Sequence, residues 1–210
     1  VGKVLMRGAA DTVKKVSLEL GGHAPLIVMD DADLDKAVAG VIGSKFRNAG
    51  QTCICSNRIY VQESIAPAFT EKFVEAVKKL KVGNGLNEGT DIGPLIDEAA
   101  SEKVQQHVSD AVEKGGTIEF GGKRVKTDSG YYFEPTVVTG VSDDMLCMNE
   151  ETFGPLAPVA IFKTEEEAIQ RANDTCYGLA AYVFTENIGR GIRISDALEY
   201  GIVGLNDGLP

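Results

Sequence analysis

The chain has 210 residues, 43% of them hydrophobic, with 31 acidic against 21 basic side chains and a net charge of −10. That balance lacks the basic footprint that nucleic acid or an anionic membrane requires. No apolar run of the length needed to cross a bilayer as a helix is present, and no charged-then-apolar leader opens the chain, so a cytoplasmic location is expected. A chain of this size can bury a core without metal or disulfide staples, and it is long for one domain and short for two. Its four cysteines, Cys53, Cys55, Cys147 and Cys176, fit reduced thiols better than a disulfide scaffold.

The chain opens at Val1 in helix-like sequence. "KKVSLEL" (14–20) and "PLIVM" (25–29) then predict two strands broken by Gly21-Gly22. From Asp33, the spacing of Leu34, Val38, Val41, Ile42 and Phe46 predicts a helix ending near Gly50. "NRIYVQ" (57–62) is a predicted strand, and Ile65, Phe69, Phe73, Val77 and Leu80 line one face of a second helix. Gly83 to Pro94 is loop, and Asp97 caps a third helix through about Glu113. "TIEF" and "PTVVTG" predict strands joined by a Gly- and Lys-rich connection, followed by the strand "PVAIFK" (158–163). Thr164 with Glu167 forms a capping box opening the next helix. "AAYVFT" (180–185), a helix from about Asn187 to Leu198, and "GIVGLN" complete the alternation. Strands alternating with helices imply an α/β fold, its sheet covered on both faces.

The stretch "FRNAGQTCICSNR" (46–58) concentrates the chemistry. A zinc site at Cys53 and Cys55 is disfavoured, because no second Cys or His pair stands nearby and only His23 and His107 exist. Two readings stay open: ordinary buried thiols, or a nucleophile on an irregular turn whose backbone N–H groups stabilise a thiolate and an oxyanion. Neither histidine forms a recognisable Cys/His pair, so a carboxylate is the alternative base. Glu19 stands in the apolar run "VSLEL"; buried at a strand end it would have a raised pKa suited to general base catalysis. Its parity with Ser17 equally fits a solvent-facing position. Gly21-Gly22 would let a flat ligand approach the backbone.

"LELGGHAP" (18–25), "NAGQTC" (48–53) and "EETFGP" (150–155) together resemble three signatures of the aldehyde dehydrogenase superfamily, in that family's order and across essentially the whole chain. The resemblance implies a three-layer αβα catalytic domain and NAD or NADP as cofactor. It implies Cys53 as the nucleophile that forms a thiohemiacetal and then a thioester, and Glu19 as the base that activates the hydrolytic water. Glu151 is implied to bind the nicotinamide ribose with Phe153 packed on that sugar, and Leu20 and Gly21 to lie against the cofactor. The stretch around Cys53 is similar to that of succinate-semialdehyde dehydrogenases, in which an arginine stands six residues before the nucleophile. Arg47 fills that position, where it could clamp a distal carboxylate; as a residue at a helix C-terminus it also fits a solvated role. The substrate is then a small aldehyde and the full-length protein a homo-oligomer.

No G-x-G-x-x-G follows a predicted strand, and in this family the main cofactor-binding domain precedes the Glu-Leu-Gly-Gly motif. Residues 1–20 are therefore expected to be the end of that domain, and 21–210 a catalytic domain truncated at its C-terminal end. Alone, the chain is expected to bind the dinucleotide weakly and not to turn over aldehydes. A cofactor-independent thiol esterase and a non-catalytic descendant are the alternatives. Cys55 is a possible redox partner of Cys53, since one intervening residue permits only a strained, easily reduced disulfide.

Overall fold

The computed structural model describes residues 1–126 and 130–209. After helix α1 (Gly2–Ala10), the chain alternates: β1 (Ala24–Val28), α2 (Leu34–Phe46), β2 (Ser56–Gln62), α3 (Ala66–Val77), α4 (Glu98–Glu113), β3 (Thr117–Phe120). It continues through β4 (Arg124–Val125), β5 (Tyr132–Phe133), β6 (Thr136–Thr139), α5 (Leu146–Asn149), β7 (Leu156–Phe162), α6 (Glu165–Asn173), β8 (Ala180–Phe184), α7 (Ile188–Ala197) and β9 (Ile202–Leu205). Seven strands form one sheet in the order β3-β6-β7-β2-β1-β8-β9, with β3 antiparallel to β6 and every other pairing parallel.

Central parallel strands are covered on both faces and so read as unbroken apolar runs. All five residues of β1 and of β8 are buried. The register sets Leu26 beside Ile59 and Ile59 beside Val159, one continuous row across three strands. From β1 to β2 the chain steps one way across the sheet, and from β8 to β9 it steps the other way. Right-handed crossovers therefore put α2 and α7 on opposite faces. The first layer is locked by Phe46, Phe69 and Phe73, with ring centroids 5.6–6.2 Å apart. Asp33, Asp97, Thr164 and Asn187 each cap a helix by accepting a backbone N–H at its first turn, as their spacing predicts.

The structure departs from the predicted elements in four places. Residues 14–20 are not a strand: Val16, Ser17 and Glu19 are exposed, and no strand among the described residues pairs with them. A strand is stabilised by its partner, and this segment has none there. Helix α2 ends at Phe46 rather than near Gly50, because Asn48, Ala49 and Gly50 all turn left-handed, with φ of 51°, 56° and 73°. The four-residue α5 and the β4–β5 ladder are too short to show a period. Part of the Gly- and Lys-rich connection, residues 127–129, lies outside the described residues.

Arg58 is a structural tie. Fully buried, it donates from Nε to His23 O (3.1 Å) and through its terminal nitrogens to Arg171 O (3.0 Å), Ala172 O (2.8 Å) and Tyr200 Oη (2.8 Å). A guanidinium here satisfies the orphan carbonyls at the C-terminus of α6 and opposes its dipole.

Candidate active site

The three motif segments each lead into one of three adjacent strands. Gly21-Gly22 precedes β1, Cys53 precedes β2, and Glu151 to Pro155 precede β7, while the sheet order places these strands side by side as β7-β2-β1. The candidate site thus lies at the N-terminal ends of parallel strands. Open α/β sheets more often bind ligands at the opposite, carboxyl ends.

The segments touch through glycine. A Cβ on Gly22 would stand 2.0 Å from the Cys53 carbonyl oxygen, and one on Gly21 would stand 2.6 Å from Glu151 Oε2. A Cβ on Gly50 would stand 2.2 Å from Gly154 O. Only hydrogen atoms fit in these gaps. The contact is reinforced by a hydrogen bond of 3.0 Å from the Gly22 N–H to Glu151 Oε1.

Cys53 sits half-buried on an irregular turn that follows the left-handed residues. Left-handed backbone costs about 1–2 kcal/mol for a residue such as Ala49, so the surroundings must hold it. Gln51 does so: its Nε2 donates to Asn48 O (3.1 Å) and Pro94 O (3.2 Å), and its Oε1 accepts from Ile96 N (2.9 Å). On the far side Tyr182 Oη, from β8, donates to Ile54 O at 2.7 Å. The Cys53 backbone N–H makes no hydrogen bond to a described residue, which leaves a donor beside the thiol.

Cys55 points the other way. It is buried, and its Sγ donates to Gly50 O at 3.2 Å. Both thiols are free. Buried Cys147 has its pKa pushed up to about 12, chiefly by desolvation, and is unsuited to nucleophilic work.

Residues 151–154 are held by α4. Lys103 Nζ donates to Glu151 O, His107 Nδ1 lies 3.1 Å from Thr152 Oγ1, and a Cβ on Gly154 would meet Val104 at 2.3 Å. Phe153 has a positive φ of 53° and is 37% exposed, and Leu20 and Gly21 are exposed as well. Burial of the imidazoles, aided by nearby cations, lowers the pKa of His23 to about 3 and of His107 to about 4. Both are neutral at physiological pH, and neither is placed as a base for Cys53.

Two of the expected site residues lie at the surface. Glu19 is exposed and lies in irregular chain rather than buried at a strand end. Arg47 is also exposed and makes no ion pair with a described residue. Residues that the motifs did not reveal are Lys45 and Asn57, buried beneath the Cys53 turn. Lys45 follows Val38 by seven and Val41 by four, which puts it on the apolar face of α2; that spacing was the available signal.

Fold and site define an α/β domain built around a cysteine on a strained turn, with that residue's backbone N–H beside the thiol and the Glu151 carboxylate joined to the turn through Gly22. The chain belongs to the aldehyde dehydrogenase family, which its sequence matches across residues 1–210. It is 60% identical over 209 residues to the mitochondrial succinate-semialdehyde dehydrogenase of Oryza sativa, covering 100% of this chain and 40% of the relative. It is 56% identical to the glutarate-semialdehyde dehydrogenase of Pseudomonas putida, over 100% of this chain and 43% of the relative. The crystal structure of succinate-semialdehyde dehydrogenase from Burkholderia pseudomallei superposes with a TM-score of 0.96 at 56% identity, over 100% of this chain and 43% of that one. The chain thus spans about two fifths of the length of these relatives.

Proposed function

We propose that the protein containing this chain oxidises succinate semialdehyde, or a related short aldehyde with an anionic far end, to the acid with NAD(P)+. The observation that carries this reading is the convergence of the three motifs on Cys53. The Cys53 thiolate attacks the aldehyde carbonyl, and the oxygen that becomes negative is met by the free Cys53 N–H. The residues fit a nicotinamide dinucleotide: Gly21 lacks the Cβ that would crowd Glu151, and Phe153 offers an exposed ring beside that carboxylate. Glu151 and Phe153 would hold its ribose, with Leu20 and Gly21 alongside. When bound, the nicotinamide supplies the acceptor for the hydride that leaves the Cys53 adduct, and the adduct becomes a thioester. Glu19, in the exposed segment that leads into Gly21-Gly22, then activates water for hydrolysis.

Arg47 is the proposed clamp for the far carboxylate. Its guanidinium has no counter-ion among the described residues, and both relatives' names specify aldehydes with a second acidic group. In the full-length protein, Cys53→Ser should abolish oxidation. Arg47→Ala should raise KM for succinate semialdehyde by about 100-fold while leaving an uncharged aldehyde within a few-fold. Equal effects on both substrates would remove the assignment. Residues 1–20 are read as the end of a cofactor-binding domain and 21–210 as a catalytic domain, within a homo-oligomer in the cytoplasm. The chain by itself should not turn over aldehydes, and measurable dehydrogenase activity from it alone would overturn that division. Cys55 is a redox partner for Cys53 only if it first leaves Gly50 O. Peroxide inactivation that thiols reverse in the parent enzyme should become irreversible in Cys55→Ala.

A further inference from the structure

Lys45 closes the last turn of α2 with its side chain fully buried. Its Nζ donates to Asn57 Oδ1 at 2.7 Å and reaches Cys55 Sγ at 3.7 Å, and it forms no ion pair with a described carboxylate. An ammonium buried without a counter-carboxylate is a poor way to stabilise a core, since an apolar side chain could pack the same space without the desolvation cost. Burial accordingly holds the lysine pKa below its usual value.

What the amine touches gives it a role. Cys55 Sγ goes on to Gly50 O at 3.2 Å and lies 3.4 Å from Asn57 Oδ1. One residue earlier in α2, Ser44 Oγ accepts from Ser56 N at 3.1 Å, tying the same two elements together. Gly50 and Cys55 are the two ends of the turn that presents Cys53, and Asn57 is the second residue of β2. A single buried amine therefore links the end of α2, both ends of the turn and the start of the central strand.

We propose that Lys45 is a positioning residue for Cys53: its amine bridges Asn57 and Cys55 and so pins the turn that carries the thiol. The inference rests on Cys53 being the nucleophile. In the full-length enzyme, Lys45→Met should lower kcat roughly 100-fold with KM changed less than about threefold, the signature of a misplaced reacting group. Iodoacetamide should label Cys53 about tenfold more slowly in the folded variant without substrate, and Lys45→Arg, which keeps the cation, should recover part of that rate. A merely structural lysine would lower the melting temperature and leave the labelling rate of the folded enzyme unchanged, and that result overturns the proposal. Should Lys45→Met fail to fold, Asn57→Ala removes the oxygen anchor and keeps the lysine. Slower labelling in that variant supports the clamp, and parental labelling overturns it. The two readings fail separately. A Cys53→Ser enzyme that still oxidises aldehyde removes the nucleophile, whereas an inactive Cys53→Ser beside a fully active Lys45→Met removes only the clamp.

Discussion

Gly22→Ala tests the contact between the first two motifs directly. Gly22 does not have a positive φ, so conformational freedom is not why it is glycine. The reason is space. An added Cβ would lie 2.0 Å from Cys53 O and 3.2 Å from Cys53 C, with Leu179 Cβ at 3.5 Å behind it. Carbon and carbonyl oxygen rest no closer than about 3.3 Å, so one backbone must retreat by roughly 1.3 Å. The neighbour is main chain rather than the tip of a flexible side chain. The overpacking should cost about 1–3 kcal/mol, read as a lower urea midpoint at unchanged m. The larger effect should fall on chemistry: a shift of about 1 Å at the nucleophile costs roughly 100-fold in kcat, or about 2.7 kcal/mol of transition-state stabilisation. Gly43→Ala is the control. Gly43 lies inside α2, and among the described residues its Cβ would meet only Leu209 Cδ1, at 3.8 Å, so the change should stabilise by about 0.5–1 kcal/mol and leave kcat unchanged. A folded Gly22→Ala enzyme with kcat and Cys53 labelling within threefold of the parent would refute the reasoning.

Two further outcomes follow from buried groups. Arg58→Met should lower stability by roughly 1–3 kcal/mol, because the carbonyls of His23, Arg171 and Ala172 each lose a guanidinium donor, the last two keeping Tyr60 Oη and Tyr200 Oη; an unchanged urea midpoint would show the lost bonds replaced by solvent. The histidines set an acid limb. Both folded pKa values lie below the unfolded value of about 6.5, so the unfolded chain binds more protons as pH falls. Their contribution is complete above pH of about 7 and is lost below it at up to about 1.4 kcal/mol per pH unit for each imidazole, His107 levelling off near pH 4 and His23 near pH 3. His107→Asn should flatten that limb between about pH 4 and 6, measured by urea melts, and an unchanged slope would refute it.

Local rules explain why much of this fold was legible. The runs "PLIV", "IYV", "PVA" and "AAYVF" became the buried parts of the parallel strands, because strands covered on both faces need uninterrupted apolar sequence. Asp33, Asp97, Thr164 and Asn187 marked helix starts through hydrogen bonds that span only two or three residues. The motif glycines likewise announced close backbone approach, although not what approaches. Residues 14–20 failed as a strand for the complementary reason: alternation is local, but pairing needs a neighbour that only the folded chain can supply.

By itself, then, the sequence determined the alternation of elements, the caps and the three motifs with Cys53 among them. Only the tertiary structure decided that those motifs feed the adjacent strands β7, β2 and β1, and that they meet through Gly21, Gly22 and Gly50 at the strands' N-terminal ends. It also decided that Glu19 faces solvent while Lys45 does not. Burial depends on what packs against a segment: Lys45 is enclosed where Cys55 and Asn57 meet its amine, and Glu19 is open because no described strand pairs with its segment. Periodicity carries the direction in which a side chain points, and the fold alone supplies what it meets there.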